Sequence, residues 1–190
     1  MNPSTLLAHH DEGRLWPQPA SAAPGFDSAQ AYQLALAVRA LRVQRGEQPR
    51  GFKIGFTNRS IWPLYQVFAP IWGTVWNTTL QLCDGTGRLD LDHTCQPRLE
   101  PEVVFGLAHT PPPQADLQAL FESIDWVAPG FEVVQSHLPD WKFQASDTMA
   151  DSGLHARLLV HALAAKHANK IWRWLKNCWP TQKSVQSTCN

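Results

Sequence analysis

The sequence predicts an α+β fold in which helices precede a set of strands. One apolar pattern with helical spacing lies in the first 50 residues, and several β-branched or aromatic runs bounded by glycine or proline follow it. The 190 residues suffice for one domain with a substantial core, and no apolar run approaches the ~20 residues needed to span a bilayer. We therefore expect a helical N-terminal segment over residues 1–50 and a β-rich core over residues 51–160.

The N-terminal segment contains two predicted helices. A short helix is predicted over residues 3–12, beginning at Ser4. A longer helix follows Asp27 or Ser28, either of which can cap its N-terminus. This helix is expected to end near Gly46, because glycine commonly follows the last helical turn.

The segment that follows the helices is expected to be mostly strand. Residues 51–57 form a predicted strand interrupted by glycine, which marks a place where the backbone approaches another group closely. Residues 58–76 are rich in aromatic side chains and proline, so they suit either the apolar wall of a pocket or ordinary core packing. A turn signal at residues 83–87 and an alternating pattern at residues 88–92 predict a hairpin.

Carboxylates stand at the entrance of two apolar strands. Glu100 and Glu102 lie two residues apart in the segment 98–105, and strand side chains alternate in direction, so both point to one face. Such a pair is stabilised by a divalent cation, although a frayed, solvated strand end would tolerate it equally well. Residues 126–134 repeat the pattern, with Glu132 directly before two valines. The spacing by itself leaves both interpretations open.

The net charge of zero hides an uneven distribution of charged residues. Residues 1–160 carry 16 acidic and 11 basic side chains, a net charge of −5, whereas residues 161–190 carry five basic side chains and no acidic one. The same 30 residues hold three of the nine tryptophans and two of the four cysteines. We predict that this tail is a foreign ending, such as one translated from a shifted reading frame. A native helix over residues 162–179 is the alternative.

Several other classes of protein find no support in the sequence. The four cysteines lack CxxC spacing, so we expect free thiols and no zinc knuckle. The N-terminus lacks the basic and apolar regions of a signal peptide, so we expect a cytoplasmic protein. We expect neither a nucleic-acid partner nor a membrane partner. The basic tail on its own would suit such a surface, but the rest of the chain is acidic and carries no nucleic-acid motif.

Four blocks of sequence together resemble a known enzyme group. They are Gly51–Thr57, Pro97–Phe105, Trp126–Val134 and Asp147–Asp151. In this order and at this spacing they resemble the 2-keto-4-pentenoate hydratase and 4-oxalocrotonate decarboxylase group of the fumarylacetoacetate hydrolase superfamily. The resemblance covers about residues 25–160. It implies a mixed β-roll or sandwich of the fumarylacetoacetate hydrolase C-terminal-domain type, incomplete here because the closing strands are not found after Val160.

The resemblance also implies roles for individual residues. Those implied to bind Mg²⁺ or Mn²⁺ are Glu100, Glu102 and Glu132. Those implied in catalysis are Lys53 and Asp147, and those implied in substrate binding are Asp151 and Thr57. Three carboxylates, together with water and substrate oxygens, suit the all-oxygen octahedral shell of Mg²⁺. The group usually has Asn where this chain has Ser152, which affects the assignment of Asp151.

The implied activity is metal-dependent hydration of a 2-hydroxy-2,4-dienoate of the 2-oxopent-4-enoate type. The product is a 4-hydroxy-2-oxo acid, in the catabolism of aromatic compounds. Decarboxylation of a 2-oxo acid of the 4-oxalocrotonate type is the first alternative, because both activities share these motifs. A truncated, inactive relative that acts only as a binding or interaction module is the second. The resemblance further implies a homo-oligomer with a small 2-oxo or 2-hydroxydienoic acid as its partner.

Overall fold

The computed structural model describes residues 1–65 and 67–161. They form an α+β fold, as predicted. The helices are α1 (Pro3–Glu12), α2 (Ser28–Gln44), α3 (Trp62–Tyr65), α4 (Leu117–Glu122) and α5 (Ala145–Ala150). The strands are β1 (Pro49–Gly55), β2 (Ile71–Trp76), β3 (Leu80–Cys83), β4 (Arg98–Leu107), β5 (Ile124–Val134) and β6 (His155–His161). Apart from its first residue, His161, which ends β6, the predicted basic tail lies outside the described residues.

The two N-terminal helices have well-defined caps. The side chain of Asp27 accepts a hydrogen bond from the backbone of Gln30, whose side chain in turn accepts one from the backbone of Asp27. This capping box confirms the predicted start of α2. Helix α1 begins at Pro3 and not at Ser4, because Asn2 is the residue whose side chain caps it. None of the described helices combines the length and the apolar character needed to cross a bilayer.

The main apolar cluster lies where α1, α2 and α5 meet the start of β2. Its buried members are small or aliphatic residues together with Trp16; they are Leu6, Trp16, Ala20, Ala31, Val38, Val67, Ile71, Leu138, Ala145, Met149 and Ala150. An ion pair between Asp11 and Arg45, the residue directly after α2, also links α1 to the end of that helix. The helical segment is thus packed directly onto the part of the chain that contains the predicted site.

Strands β1 and β2 form a two-stranded antiparallel sheet in which Lys53 lies opposite Gly73. A β-carbon on Gly73 would stand 1.8 Å from the carbonyl oxygen of Ser152, so only glycine permits this approach. The contact brings the short turn Ser152–Leu154 against β2. Gly73 is therefore required by packing, whereas Gly51, in the predicted glycine-interrupted strand, has no neighbouring atom within 4 Å of an added β-carbon.

The other four strands form a mixed sheet in the order β3-β6-β5-β4. Strand β3 runs parallel to β6, and the remaining pairs are antiparallel. The predicted hairpin at residues 83–87 is wrong: β3 ends at Cys83, takes β6 as its ladder partner, and residues 88–92 form no strand. A left-handed Gly85 turns the chain away at this point. A turn does form there, but each residue of β3 pairs with a residue 78 positions further along the chain, as in Leu80 with Leu158.

Candidate active site

The sheet register brings three carboxylates together. Glu100 on β4 lies directly opposite Glu132 on β5, and Glu102 follows two residues later on the same face. One carboxylate oxygen from each residue lies within 4.8 Å of the other two. Glu132 is buried, Glu102 is half-buried and Glu100 is exposed, so the cluster opens from the core towards solvent. The structure therefore brings together all three predicted metal ligands.

Lys53 reaches this cluster from the other sheet. Its Nζ lies 3.0 Å from Oε2 of Glu132 and donates a hydrogen bond of 3.0 Å to the carbonyl oxygen of Gly153. Only 9% of the Lys53 side chain is exposed, compared with 2% for Glu132, so this ion pair is largely shielded from water. The predicted catalytic lysine and a predicted metal ligand thus share one site.

His155, which the sequence motifs did not indicate, contacts the same carboxylate. Its Nδ1 lies 2.7 Å from Oε1 of Glu132, and both side chains are buried. The β5–β6 register shifts by one residue after Val133, so Val134 pairs with His155 and Ala156 is left as the extra residue. Paired residues share a face, so this bulge turns His155 towards Glu132. A one-residue irregularity in pairing leaves no local signal in sequence.

The charges in the site are only partly balanced. Burial raises the pKa of the Glu102 carboxyl, and the negative charge of Glu132 raises it further. Burial also raises the pKa of Glu132, but the hydrogen bond from His155 and the charge of Lys53 outweigh it and bring the pKa below its ordinary value. Burial lowers the pKa of His155, which is therefore neutral at neutral pH. Three crowded carboxylates with one ammonium group fit a hard divalent cation.

Asp147 has a different environment. It is buried in α5, and its carboxylate accepts hydrogen bonds from the backbone and hydroxyl of Ser21, both 2.8 Å, and from the backbone of Gln144, 2.9 Å. It also lines a cavity of about 500 Å³ that includes Tyr65 and Phe143. Within the described residues, no hydrogen bond joins Asp147 to Lys53 or to the glutamates.

Among the described residues, no hydrogen bond or ion pair joins Thr57 or Asp151 to the three glutamates. Thr57 is exposed just beyond β1. Asp151 is buried at the end of α5, where its carboxylate binds Nδ1 of His137 at 2.8 and 2.9 Å. The structure therefore brings together Lys53 and the metal ligands, whereas the two predicted substrate-binding residues lie outside that set.

The pair of His137 and Asp151 is a second polar centre that the sequence did not reveal. His137 is fully buried, and the ring of Trp16 stacks on it with centroids 5.8 Å apart. The backbone of Trp16 also donates a hydrogen bond of 2.7 Å to the carbonyl of His137. These contacts fasten the N-terminal segment to the core. Burial lowers the pKa of His137, but the charge of Asp151 raises it by more, so its pKa lies above the ordinary value.

His137→Asn is expected to make the protein's stability depend less on pH. A histidine whose pKa is raised by folding contributes its full stabilisation below the unfolded-state pKa of about 6.5, and the contribution disappears as the pH rises through the folded-state pKa. The difference in free energy of unfolding between wild type and variant should therefore be larger at pH 6 than at pH 9, by about 1.4 kcal/mol for each tenfold gain in the proton affinity of His137 on folding. Urea unfolding at both pH values measures this difference. An equal difference at both would contradict the charged pair, and exposed His109→Asn serves as the control.

The sequence is similar to those of two kinds of enzyme, although no family model matches it. It is 32% identical over 131 residues to a 2-hydroxyhexa-2,4-dienoate hydratase of Comamonas testosteroni, covering 68% of this chain and 49% of that protein. It is 31% identical over 121 residues to a 4-oxalocrotonate decarboxylase of a Pseudomonas species, covering 64% and 46%. It is 32% identical over 134 residues to a 2-hydroxypent-2,4-dienoate hydratase of Pseudomonas putida, covering 67% and 59%. The chain spans about half the length of these curated relatives.

Comparison with solved structures gives the same fold. The chain superposes on 4-oxalocrotonate decarboxylase from Pseudomonas putida G7, in complex with magnesium and adipate, with a TM-score of 0.76 and 22% identity. The match covers 87% of this chain and 65% of that one. A second structure of that enzyme, with calcium and acetate, gives a TM-score of 0.74 at 21% identity. The likeness at this level of identity concerns the fold.

Proposed function

We propose, on the premise that this chain is a homologue of the 2-keto-4-pentenoate hydratases and 4-oxalocrotonate decarboxylases, that it is a divalent-metal-dependent hydratase. Its substrate would be a 2-hydroxy-2,4-dienoate and its product a 4-hydroxy-2-oxo acid. The observation that carries this proposal is the cluster of Glu100, Glu102 and Glu132, whose oxygens lie within 4.8 Å of one another and next to Lys53. Hydratases of dienoates are prominent among the relatives.

The three glutamates would hold Mg²⁺ or Mn²⁺ at the open end of the cluster. A bound divalent ion supplies Lewis-acid stabilisation of negative charge on substrate oxygens. Lys53 would transfer protons at the dienoate carbons. Its ammonium group has three protons, and the contacts with Glu132 and Gly153 use two of them, which leaves one N–H to face the substrate. The Lys53 side chain is largely shielded from water, so its protons exchange with the substrate in preference to bulk solvent, which supports a role in proton transfer.

The other predicted residues have weaker structural support. We keep Asp147 as a candidate for catalysis because it lines the cavity of about 500 Å³, together with aromatic side chains. Its hydrogen bonds to Ser21 also suit a role in anchoring the N-terminal segment. We keep Asp151 and Thr57 as candidates for substrate binding. A substrate contact by Asp151 would have to compete with its bond to His137.

Decarboxylation of a 2-oxo acid is the second candidate activity. It is favoured by a 4-oxalocrotonate decarboxylase relative at 31% identity and by the fold of the magnesium-bound decarboxylase. The same electron-withdrawing site would serve this reaction when water is kept from the substrate. A third candidate is an inactive relative that acts only as a binding or interaction module.

We further propose a mixed β-roll or sandwich of the fumarylacetoacetate hydrolase C-terminal-domain type, divided into residues 1–50, 51–160 and 161–190. A homo-oligomer is proposed because the face of β4 opposite the glutamates is apolar and exposed. The side chains on it are Leu99, Val103, Phe105 and Leu107, between 46% and 62% exposed. A cytoplasmic location stays a prediction.

Metal-dependent turnover is the test of this function. Incubating the protein with Mg²⁺ and 2-hydroxypenta-2,4-dienoate should remove the dienoate absorbance, whereas release of CO₂ from 4-oxalocrotonate would favour the second candidate. Mg²⁺ should also raise the melting temperature, and Glu100→Gln should abolish that rise because one ligand is lost. A metal-stabilised protein that turns over neither substrate would favour the inactive relative, and the absence of any metal effect would overturn the proposal.

A further inference from the structure

The two oxygens of the Glu132 carboxylate have different partners. Oε1 accepts a hydrogen bond from Nδ1 of His155 at 2.7 Å, while Oε2 lies 3.0 Å from Nζ of Lys53. A carboxylate has no proton to donate when ionised, so Nδ1 must be the donor whether the imidazole is neutral or charged. Oε1 is therefore committed to His155, and Oε2 is the oxygen that remains on the side of Lys53.

The imidazole that holds Oε1 is itself fixed at its far end. Nε2 of His155 lies 2.8 Å from the hydroxyl of Thr79, and both residues are buried. The backbone N–H of Trp76 donates to the same hydroxyl at 3.1 Å, which ties it to the end of β2. The bulge at Ala156 sets the direction of the histidine ring. A buried relay of three side chains therefore restricts how Glu132 can turn.

We propose that His155 makes Glu132 a ligand through a single oxygen and thereby tunes the site for a small octahedral cation over Ca²⁺. This inference rests on the proposed metal-binding function of the three glutamates. Ca²⁺ takes six to eight oxygens and commonly uses both oxygens of a carboxylate, whereas Mg²⁺ demands near-ideal octahedral geometry, to which each carboxylate contributes one oxygen. Because Oε1 is held by His155, the two-oxygen mode is closed unless that hydrogen bond breaks.

The ratio of the dissociation constants for Ca²⁺ and Mg²⁺ measures this selectivity. Both constants are obtained by calorimetric titration of the full chain with each metal alone. His155→Leu removes the donor at nearly constant volume and should shift the ratio towards Ca²⁺ by about tenfold or more, the size typical of residues that orient a metal ligand. His155→Asn places an amide N–H near the position of Nδ1 and should retain most of the wild-type ratio.

Two further variants separate positioning from a general effect on folding. Thr79→Val frees the far end of the imidazole without touching the carboxylates, so it should move the ratio in the same direction by a smaller factor. Exposed His109→Leu should leave it unchanged. If His155→Leu does not fold, an unaltered ratio in Thr79→Val overturns the inference.

The outcomes distinguish the inference from the function beneath it. A wild-type protein that binds neither cation overturns both the metal site and the role of His155. A wild-type protein that binds both cations, with the same ratio in a folded His155→Leu, overturns the role of His155 alone. The inference is supported if the ratio shifts towards Ca²⁺ in His155→Leu and stays near the wild-type value in His155→Asn. A histidine with a purely structural role would weaken the binding of both metals equally and leave the ratio unchanged.

Discussion

Lys53→Met is expected to lower dienoate turnover by about 10²–10⁴-fold, the usual contribution of a general acid or base, while strengthening Mg²⁺ binding. Methionine keeps the length and the apolar stem of lysine but removes the positive charge 3.0 Å from Oε2 of Glu132. In the wild-type protein that charge opposes an incoming cation at short range. Without it the carboxylate is left with the hydrogen bond from His155 and gains more from a metal.

Opposite changes in turnover and in affinity identify the role of Lys53. Turnover is followed by the loss of dienoate absorbance, and the dissociation constant for Mg²⁺ by calorimetry. Arg50→Met removes a cation from an exposed position on the same strand and should change neither quantity appreciably. If Mg²⁺ binding weakens together with turnover in Lys53→Met, the substitution has disrupted the site, and proton transfer by Lys53 loses its support.

The shared face of Glu100 and Glu102 could be predicted from sequence because strand periodicity is local, whereas their assignment as metal ligands came from the resemblance to the enzyme group. Two carboxylates separated by one residue in an apolar strand must share a face, and Glu102 and Glu100 do so. What the sequence could not provide is the register between β4 and β5. That register sets Glu132 opposite Glu100, and it depends on packing over the whole sheet.

The residues that sequence reasoning missed act through long-range geometry. His155 faces Glu132 only because β5 and β6 slip by one residue at Ala156, and a single histidine before an apolar run resembles any core histidine. His137 is similar, since its partners Asp151 and Trp16 are distant along the chain. The wrong prediction of a hairpin at residues 83–87 also arises from long-range geometry, because a turn signal does not indicate which strand pairs with β3.

Helices were easier to predict because their caps lie within a few residues of each other. Asp27 and Gln30, which exchange the capping hydrogen bonds, lie within four consecutive residues, and these bonds fix the start of α2. The buried role of Asp147 was not accessible in this way. Its partner Ser21 lies 126 residues earlier, in a segment of alanine, serine and proline without a distinctive pattern.

Glu132→Gln is expected to have the largest combined effect of any single substitution in the site. It removes a proposed metal ligand and leaves the Lys53 ammonium group largely buried without a counter-charge, which typically costs about 3–5 kcal/mol. We expect at least a roughly 100-fold loss of Mg²⁺ affinity, a comparable or greater loss of turnover, and a clear fall in the midpoint of urea unfolding. The exposed Glu122→Gln is the matched control.

The double variant Lys53→Met with Glu132→Gln separates the stability effect from the metal effect. Removing both charges of a buried pair is often neutral, so the double variant should recover most of the stability lost in Glu132→Gln. It should not recover Mg²⁺ binding or turnover, because the oxygen ligand is still missing. A double variant as unstable as Glu132→Gln would show that Lys53 and Glu132 do not act as a pair. One that regained Mg²⁺ affinity would exclude Glu132 as a ligand.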